Sequence, residues 1–117
     1  MLPRVHRLRR SADIRQVRRR GHRRGHSLLL LFAYEKKFGK TRFAVALSGR
    51  VGNAVVRNRA KRRIREAVRH RLREVRDGWD CVFVARPAVA TASFPEIDQA
   101  VQQLLTGCGV LDRRHTE

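Results

Sequence analysis

Residues 52–76 read G-N-A-V-V-R-N-R-A-K-R-R-I-R-E-A-V-R-H-R-L-R-E-V-R. At the helical period their apolar members form one stripe: Val56, Ala60, Ile64, Ala67, Val68, Leu72 and Val75. Asn53 stands where an N-cap belongs, because its side-chain oxygen can accept from an orphan N–H of the first turn. Beside the stripe, at 100° per residue, Arg57, Lys61, Arg65, Asn58, Arg69 and Arg62 follow one another along a continuous flank. Arg59, Arg63 and His70 lie further round. One side of this helix is built to be buried, and its wet side carries an ordered array of guanidinium groups. An ordinary solvated helix mixes Lys and Glu in i,i+4 pairs. Here only Glu66 and Glu74 offer pairing, against a large excess of cations. At that density self-repulsion is unfavourable unless something negative binds, so the array suits a polyanion.

The rest of the chain carries the same sign. In 117 residues the formal net charge is +18, and the isoelectric point is near 11.9. A hydrophobic content of 42% is too high for a disordered basic tail and enough for one modest core. Such a field selects nucleic acid or an anionic membrane surface as partner. Apart from Lys36, Lys37, Lys40 and Lys61, every Lys or Arg is Arg, which offers planar bidentate and stacking contacts to phosphates and bases. Cys81 and Cys108 match no metal spacing; free thiols of a reducing compartment, or one disulfide, fit them. His22 and His26 lack a nearby third ligand. No signal peptide is visible, and the longest apolar run, residues 28–34, is too short for a bilayer. The expectation is a soluble cytoplasmic protein.

Taken in order, residues 1–10 read as a loose basic arm. Ser11 caps a short helix over residues 12–20, with Ile14 and Val17 buried and Gly21 as its stop. Residues 21–27 form a polar connector with room for one short edge strand. Residues 28–34 make a strand apolar on both faces, and residues 41–48 read as the returning half of a hairpin closed by E-K-K-F-G-K. After the basic helix, Asp77-Gly78 is a stop, and residues 80–85 form a buried strand ended by Arg86-Pro87. Ser93 and Glu96 form a capping box for a last helix that carries Phe94, Ile97, Val101, Leu104 and Leu105 and ends at Gly107. Residues 108–117 read as a frayed tail. No repeat or linker divides the chain, so residues 1–117 form a single α+β domain.

The segment V-G-N-A-V-V-R-N-R-A-K-R-R-I-R-E-A (51–67) strongly resembles the "RNR" signature of the bacterial ribonuclease P protein subunit. R-L-R-R-S-A-D-I-R-Q-V (7–17), D-C-V-F-V-A-R-P (80–87) and S-F-P-E-I (93–97) are similar to its other blocks, in order and spacing. The resemblance covers roughly residues 7–106. It implies an α-β-β-β-α-β-α two-layer sandwich with a left-handed β-α-β crossover, against the usual right-handed preference. That is the fold of the second domain of a small-subunit ribosomal protein, and it requires one more short strand, placed near residues 24–27.

The resemblance also implies a function: the protein cofactor of an RNA-based endonuclease that removes the 5′ leader of precursor tRNA. In that family the RNA subunit performs the hydrolysis, and Mg2+ is held mainly by that RNA and the substrate. The matching signature residues Arg57, Asn58, Arg59, Lys61, Arg62 and Arg65, with Arg69 on the same flank, are the implied RNA contacts, since guanidinium groups pair with phosphates. Phe32 falls where the family carries a leader-stacking aromatic; an ordinary core Phe is the competing reading. The chain departs from the family at Ile14 and Arg18, where aromatics are usual in the leader cleft, and at S-G-R (48–50), where two Lys are common. Arg18 is then expected to replace stacking with a phosphate contact.

No nuclease centre is legible in the chain itself. Asp77 and Asp80 are a close acidic pair outside the basic helix, but two-metal hydrolysis needs several converging carboxylates. No Ser, Cys or Lys sits in a nucleophile motif. The partners expected are therefore a ribonuclease P RNA and the precursor-tRNA leader, without DNA or membrane. A structural RNA-binding protein of the ribosome would share the charge and the sandwich. A basic-helix DNA binder lacks its heptad zipper after Arg76. A membrane-active helix would need interfacial aromatics on its Ala- and Val-rich face.

Overall fold

A computed structural model describes residues 2–111. The element order is α1 (Ser11–Arg20), β1 (His22–Gly25), β2 (Leu29–Glu35), β3 (Arg42–Leu47), α2 (Ala54–Arg69), β4 (Trp79–Ala85) and α3 (Phe94–Gly107). This is the α-β-β-β-α-β-α order, and the extra strand is β1, two residues earlier than expected. Single 3₁₀ turns occur at Arg4–His6, Leu72–Glu74 and Pro87–Thr91.

The sheet order is β1-β2-β4-β3. β2 is antiparallel to β1 and β4, and β3 is parallel to β4. The hairpin expected between β2 and β3 therefore does not form: β4 lies between them. The E-K-K-F-G-K turn serves a different junction. The N–H groups of Lys36 and Lys37 donate to the Gly78 carbonyl, and the Gly78 N–H donates to that of Gly39. β4 takes the inner position because W-D-C-V-F-V-A is buried on both faces. A strand with no wet face is most stable with neighbours on both edges.

Each face of the sheet has its own cover. On one, Leu29, Leu31, Phe43 and Phe83 meet Ile64 and Val68 of α2 and Ile97, Val101 and Leu105 of α3. Asn53 caps α2 as expected, accepting from the Val56 N–H at 3.0 Å. The Ser93–Glu96 capping box of α3 is complete. On the other face α1 covers only part of the sheet. Leu8, Val17 and Val82 are buried there, while Phe32, Tyr34, Ala44, Ala46 and Val84 remain half-exposed.

Four boundaries differ from the sequence reading. Residues 2–10 are not a loose arm: Leu2 and Leu8 are buried, Arg7 bridges to Phe43, and the Leu8 N–H donates to the Phe43 carbonyl. Ser11 is the first residue of α1 rather than its cap, and Arg10 precedes it without a side-chain cap. The basic helix ends at Arg69, not near Arg76, and tightens into the 3₁₀ turn that returns the chain to β4. Leu72 and Val75 still face inward, because i+3 spacing survives in that turn. Residues 108–111, read as frayed, are packed: Val110 and Leu111 are buried, and Val75 bridges to Leu111. α3 ends at Gly107 as expected, and the chain reverses just beyond it at Gly109 (φ 84°). The remaining tail lies outside the described residues.

Candidate nucleic-acid interface

The strand before α2 and the loop joining them set the direction of the signature helix. Gly52 adopts φ 144°, and a Cβ there would press on Val56 at 3.1 Å, so only glycine lets the chain turn into the cap. With Ala60, Ile64, Ala67 and Val68 buried, Arg57, Lys61 and Arg65 follow at i, i+4 and i+8 beside β3. Arg57 is half-buried and donates to the Ser48 carbonyl at 2.9 Å, closing the β3–α2 loop with part of its fork. Asn58, Arg59, Arg62 and Arg65 are exposed, and Lys61 is half-exposed. Arg63, on the opposite flank, donates to the Ala92 carbonyl before α3.

Arg69 differs from its neighbours. Its guanidinium grips Glu66 through two hydrogen bonds, at 2.8 and 2.6 Å, and holds that carboxyl down to about 2. Its charge is thus largely committed inside the helix.

The flank and the open sheet face are continuous. Arg65 lines a groove of about 340 Å³ with Arg7, Arg9, Ile14, Phe43 and Ala44. That groove wraps the edge of β3, from α2 on one side to α1 on the other. Further onto the open face, Arg18 of α1 stands over the Phe32 ring, 5.4 Å from its centroid. Ile14 packs against the same small cluster. The structure therefore brings Ile14, Arg18 and Phe32 together, and joins them to Arg65 round one strand edge. Phe32 is half-buried with a ring face covered by the Arg18 guanidinium, not a fully enclosed core residue. The groove residues Arg7 and Arg9 escaped the sequence reading, since nothing in their local pattern reveals that they lie against the edge strand β3.

The far end of the open face is locked by charge. Asp80 accepts from Lys36 Nζ at 2.9 Å and from Arg42 Nε and Nη2 at 3.0 and 2.7 Å. Burial pushes its carboxyl up, but the Arg42 and Lys36 hydrogen bonds outweigh burial and hold it below the usual carboxylate range. Arg42 also lies 3.8 Å from Asp13 and so ties α1 to the sheet.

Among the described residues the acidic groups assemble no metal site. Asp80, Glu66 and Asp98 are engaged by Lys36 and Arg42, by Arg69 and by Arg71, and Glu96 caps α3. Among the described residues no three His, Cys, Asp or Glu side chains gather as metal ligands. Cys81 is buried and Cys108 half-buried, both as free thiols, and burial pushes the Cys81 thiol well above its usual value. Among the described residues no helix is long and apolar enough to cross a membrane.

Comparison with known proteins agrees with this geometry. A family model described as Ribonuclease P matches residues 2–109. The ribonuclease P protein component of Roseiflexus castenholzii is 40% identical over 111 residues, spanning 94% of this chain and 91% of the relative. That of Clostridium kluyveri is 37% identical over 108 residues, spanning 91% and 96%. Among solved structures, the RNase P protein of Staphylococcus aureus superposes with a TM-score of 0.83 at 23% identity, over 92% of this chain and 98% of that one. The Thermotoga maritima protein gives 0.78 at 21% identity, over 86% and 96%. These two likenesses speak for the fold, and the sequence matches speak for the family. The chain belongs to the ribonuclease P protein family.

Proposed function

We infer that this chain is the protein subunit of ribonuclease P, working with a catalytic RNA to remove the 5′ leader of precursor tRNA. The observation that carries this reading is the continuity of a guanidinium row on α2 with an open, aromatic-bearing sheet face, round the β3 edge. The RNA subunit docks on the signature residues Asn58, Arg59, Arg62 and Arg65, which are exposed, and on half-exposed Lys61, where Arg forks meet phosphates. Arg57 orders the loop that aims the helix and offers its remaining donors. The single-stranded leader crosses the sheet face over Phe32, where stacking tolerates any base. Bond cleavage and its Mg2+ belong to the RNA, because among the described residues Asp80, Glu66 and Asp98 are held by Lys and Arg side chains and no three potential ligands converge.

Reconstitution tests the reading. Added to a bacterial ribonuclease P RNA at low magnesium, the chain should raise precursor-tRNA cleavage and should favour leader-bearing over mature tRNA. Cleavage by the chain alone, or no gain over the RNA alone, would reject it. A structural ribosomal protein would bind folded RNA without regard to a leader. Arg62→Ala with Arg65→Ala should weaken RNA-subunit binding and flatten its salt dependence by roughly 0.7–0.9 log units per lost phosphate contact. An unchanged slope would remove these two residues from the interface.

A further inference from the structure

Resting on that reading of the leader path, we propose that Arg23, on the edge strand β1, is a phosphate clamp for the distal part of the leader. With Arg18 it flanks the stacking face of Phe32 on the side away from α2. In the β1–β2 register Arg23 is directly opposite Phe32. Residues directly opposite in an antiparallel pair share a face. Arg23 therefore stands on the open face, beside the aromatic that Arg18 covers from above.

Its neighbour Arg24 is opposite Leu31, on the other face, where its guanidinium donates to the Gly107 carbonyl of α3. The same dipeptide thus supplies one cation to the open face and one to the packing of α3.

Several facts make Arg23 a binding group and not ordinary surface charge. It is exposed, and among the described residues no carboxylate lies within ion-pair distance of it. The local run R-R-R-G-H-R-R (18–24) contains no acid at all. Cations packed at this density repel one another unless a polyanion passes.

The placement also fits a strand in transit. The order β1-β2-β4-β3 puts Arg23 and the α2 flank at opposite edges of the sheet, about 14 Å apart at the usual strand spacing. A leader entering round β3 from Arg65 and stacking on Phe32 reaches the β1 edge next. Its phosphates there can meet guanidinium groups from both α1 and β1. Recognition is of the sugar–phosphate backbone, so it depends on leader length and not on leader sequence.

The test uses holoenzyme reconstituted with a bacterial ribonuclease P RNA and three substrates: mature tRNA, precursor with a single-nucleotide leader, and precursor with a leader long enough to cross the sheet. Dissociation constants are measured against salt for wild type, Arg23→Ala and Arg24→Ala. Arg23→Ala should lower the salt slope for the long leader by about 0.7. That slope corresponds to roughly a fivefold loss of affinity at about 0.1 M salt relative to about 1 M. The same variant should bind the two shorter substrates as wild type does. Arg24→Ala removes the same charge from the other face and should not reproduce the effect.

Equal losses in both variants would mean that only the overall field matters, and the clamp would be overturned. So would a loss in Arg23→Ala that ignores leader length. If wild-type holoenzyme shows no preference for leader-bearing substrate, the reading of the function itself fails, which is a separate result. Melting curves of both variants confirm folding, which exposure of Arg23 predicts to be unaffected.

Discussion

Replacing Asp80 by Asn should destabilise the protein by about 2–4 kcal/mol. The carboxylate is enclosed, with 8% of its side chain exposed, and accepts three charge-assisted hydrogen bonds from Lys36 and Arg42. Removing one partner of a buried pair typically costs about 3–5 kcal/mol, because the other charge is stranded. Two features adjust that figure. Asn retains one acceptor oxygen, and Arg42, with a third of its side chain exposed, can recover hydration. Lys36 cannot: its side chain is only 10% exposed, and the Lys40 carbonyl at 3.0 Å would be its remaining acceptor. Lys36→Met added to Asp80→Asn should therefore restore part of the loss, making the double variant more stable than additivity predicts.

The dependence on pH has a fixed sign. The folded carboxyl lies below its unfolded value, so its contribution is complete above the unfolded pKa and drains as pH falls through the folded one. Urea denaturation of wild type and Asp80→Asn should differ most near neutrality, and the two should converge below about pH 4, the ordinary carboxyl range. A loss under about 0.5 kcal/mol, the level of an exposed pair, would refute the reasoning. So would a difference that persists unchanged into acid.

Other outcomes follow from single contacts. Phe32→Ala should weaken binding of leader-bearing substrate by about 1–3 kcal/mol if a base stacks on it, with little change for mature tRNA; equal effects would make it a structural residue. Ser93→Ala should lower stability by about 1 kcal/mol in thermal melts, since it removes the cap of α3, and should leave RNA affinity unchanged. Arg57→Ala should differ from Arg65→Ala: it should cost stability by roughly 1 kcal/mol through the lost Ser48 contact as well as weaken RNA binding. Denaturation paired with binding titrations separates the two effects.

The signature helix was legible in the sequence because its physics is local. Spacing alone aligns Ala60, Ile64, Ala67 and Val68, and Asn53 and the Ser93–Glu96 box advertise their caps by residue type. Strand partnership is not local. Lys37 at φ 68° and Gly39 at φ 71° mark a reversal after β2, but a reversal does not name the strand that pairs next. The clue lay in the continuous apolar run of β4, which demands an inner position. The packing of the termini is hidden from the sequence for a related reason. Leu2, Leu8, Val110 and Leu111 belong to no periodic apolar pattern, and only tertiary placement reveals what they cover. On α2 the type of residue announced the partner, yet not which donors were free. Glu66 committing Arg69 is foreseeable from i,i+3 spacing, whereas Arg57 reaching Ser48 depends on how the loop folds.

The strand order β1-β2-β4-β3 is also what makes the site. Had β2 and β3 formed a hairpin, β3 could not have been left at the edge by β4. With β4 inserted, β3 keeps one side free, and the chain returns along α2 beside that side. Among the described residues its outer edge is bridged at Phe43, by the segment around Arg7 and Leu8, and those residues contribute arginines to the groove instead of closing it. A polyanion can pass from helix flank to sheet face around a single strand without crossing packed core. The small side chains Ala44 and Ala46 keep the floor low along that route, and Phe32 gives it one aromatic step. Substituting Ala44 with Leu would raise the floor where the groove bends. Leader-bearing substrate should then bind more weakly while the RNA subunit, held by α2, binds as before. Loss of both together would mean that the helix flank and the sheet face serve one RNA and not two.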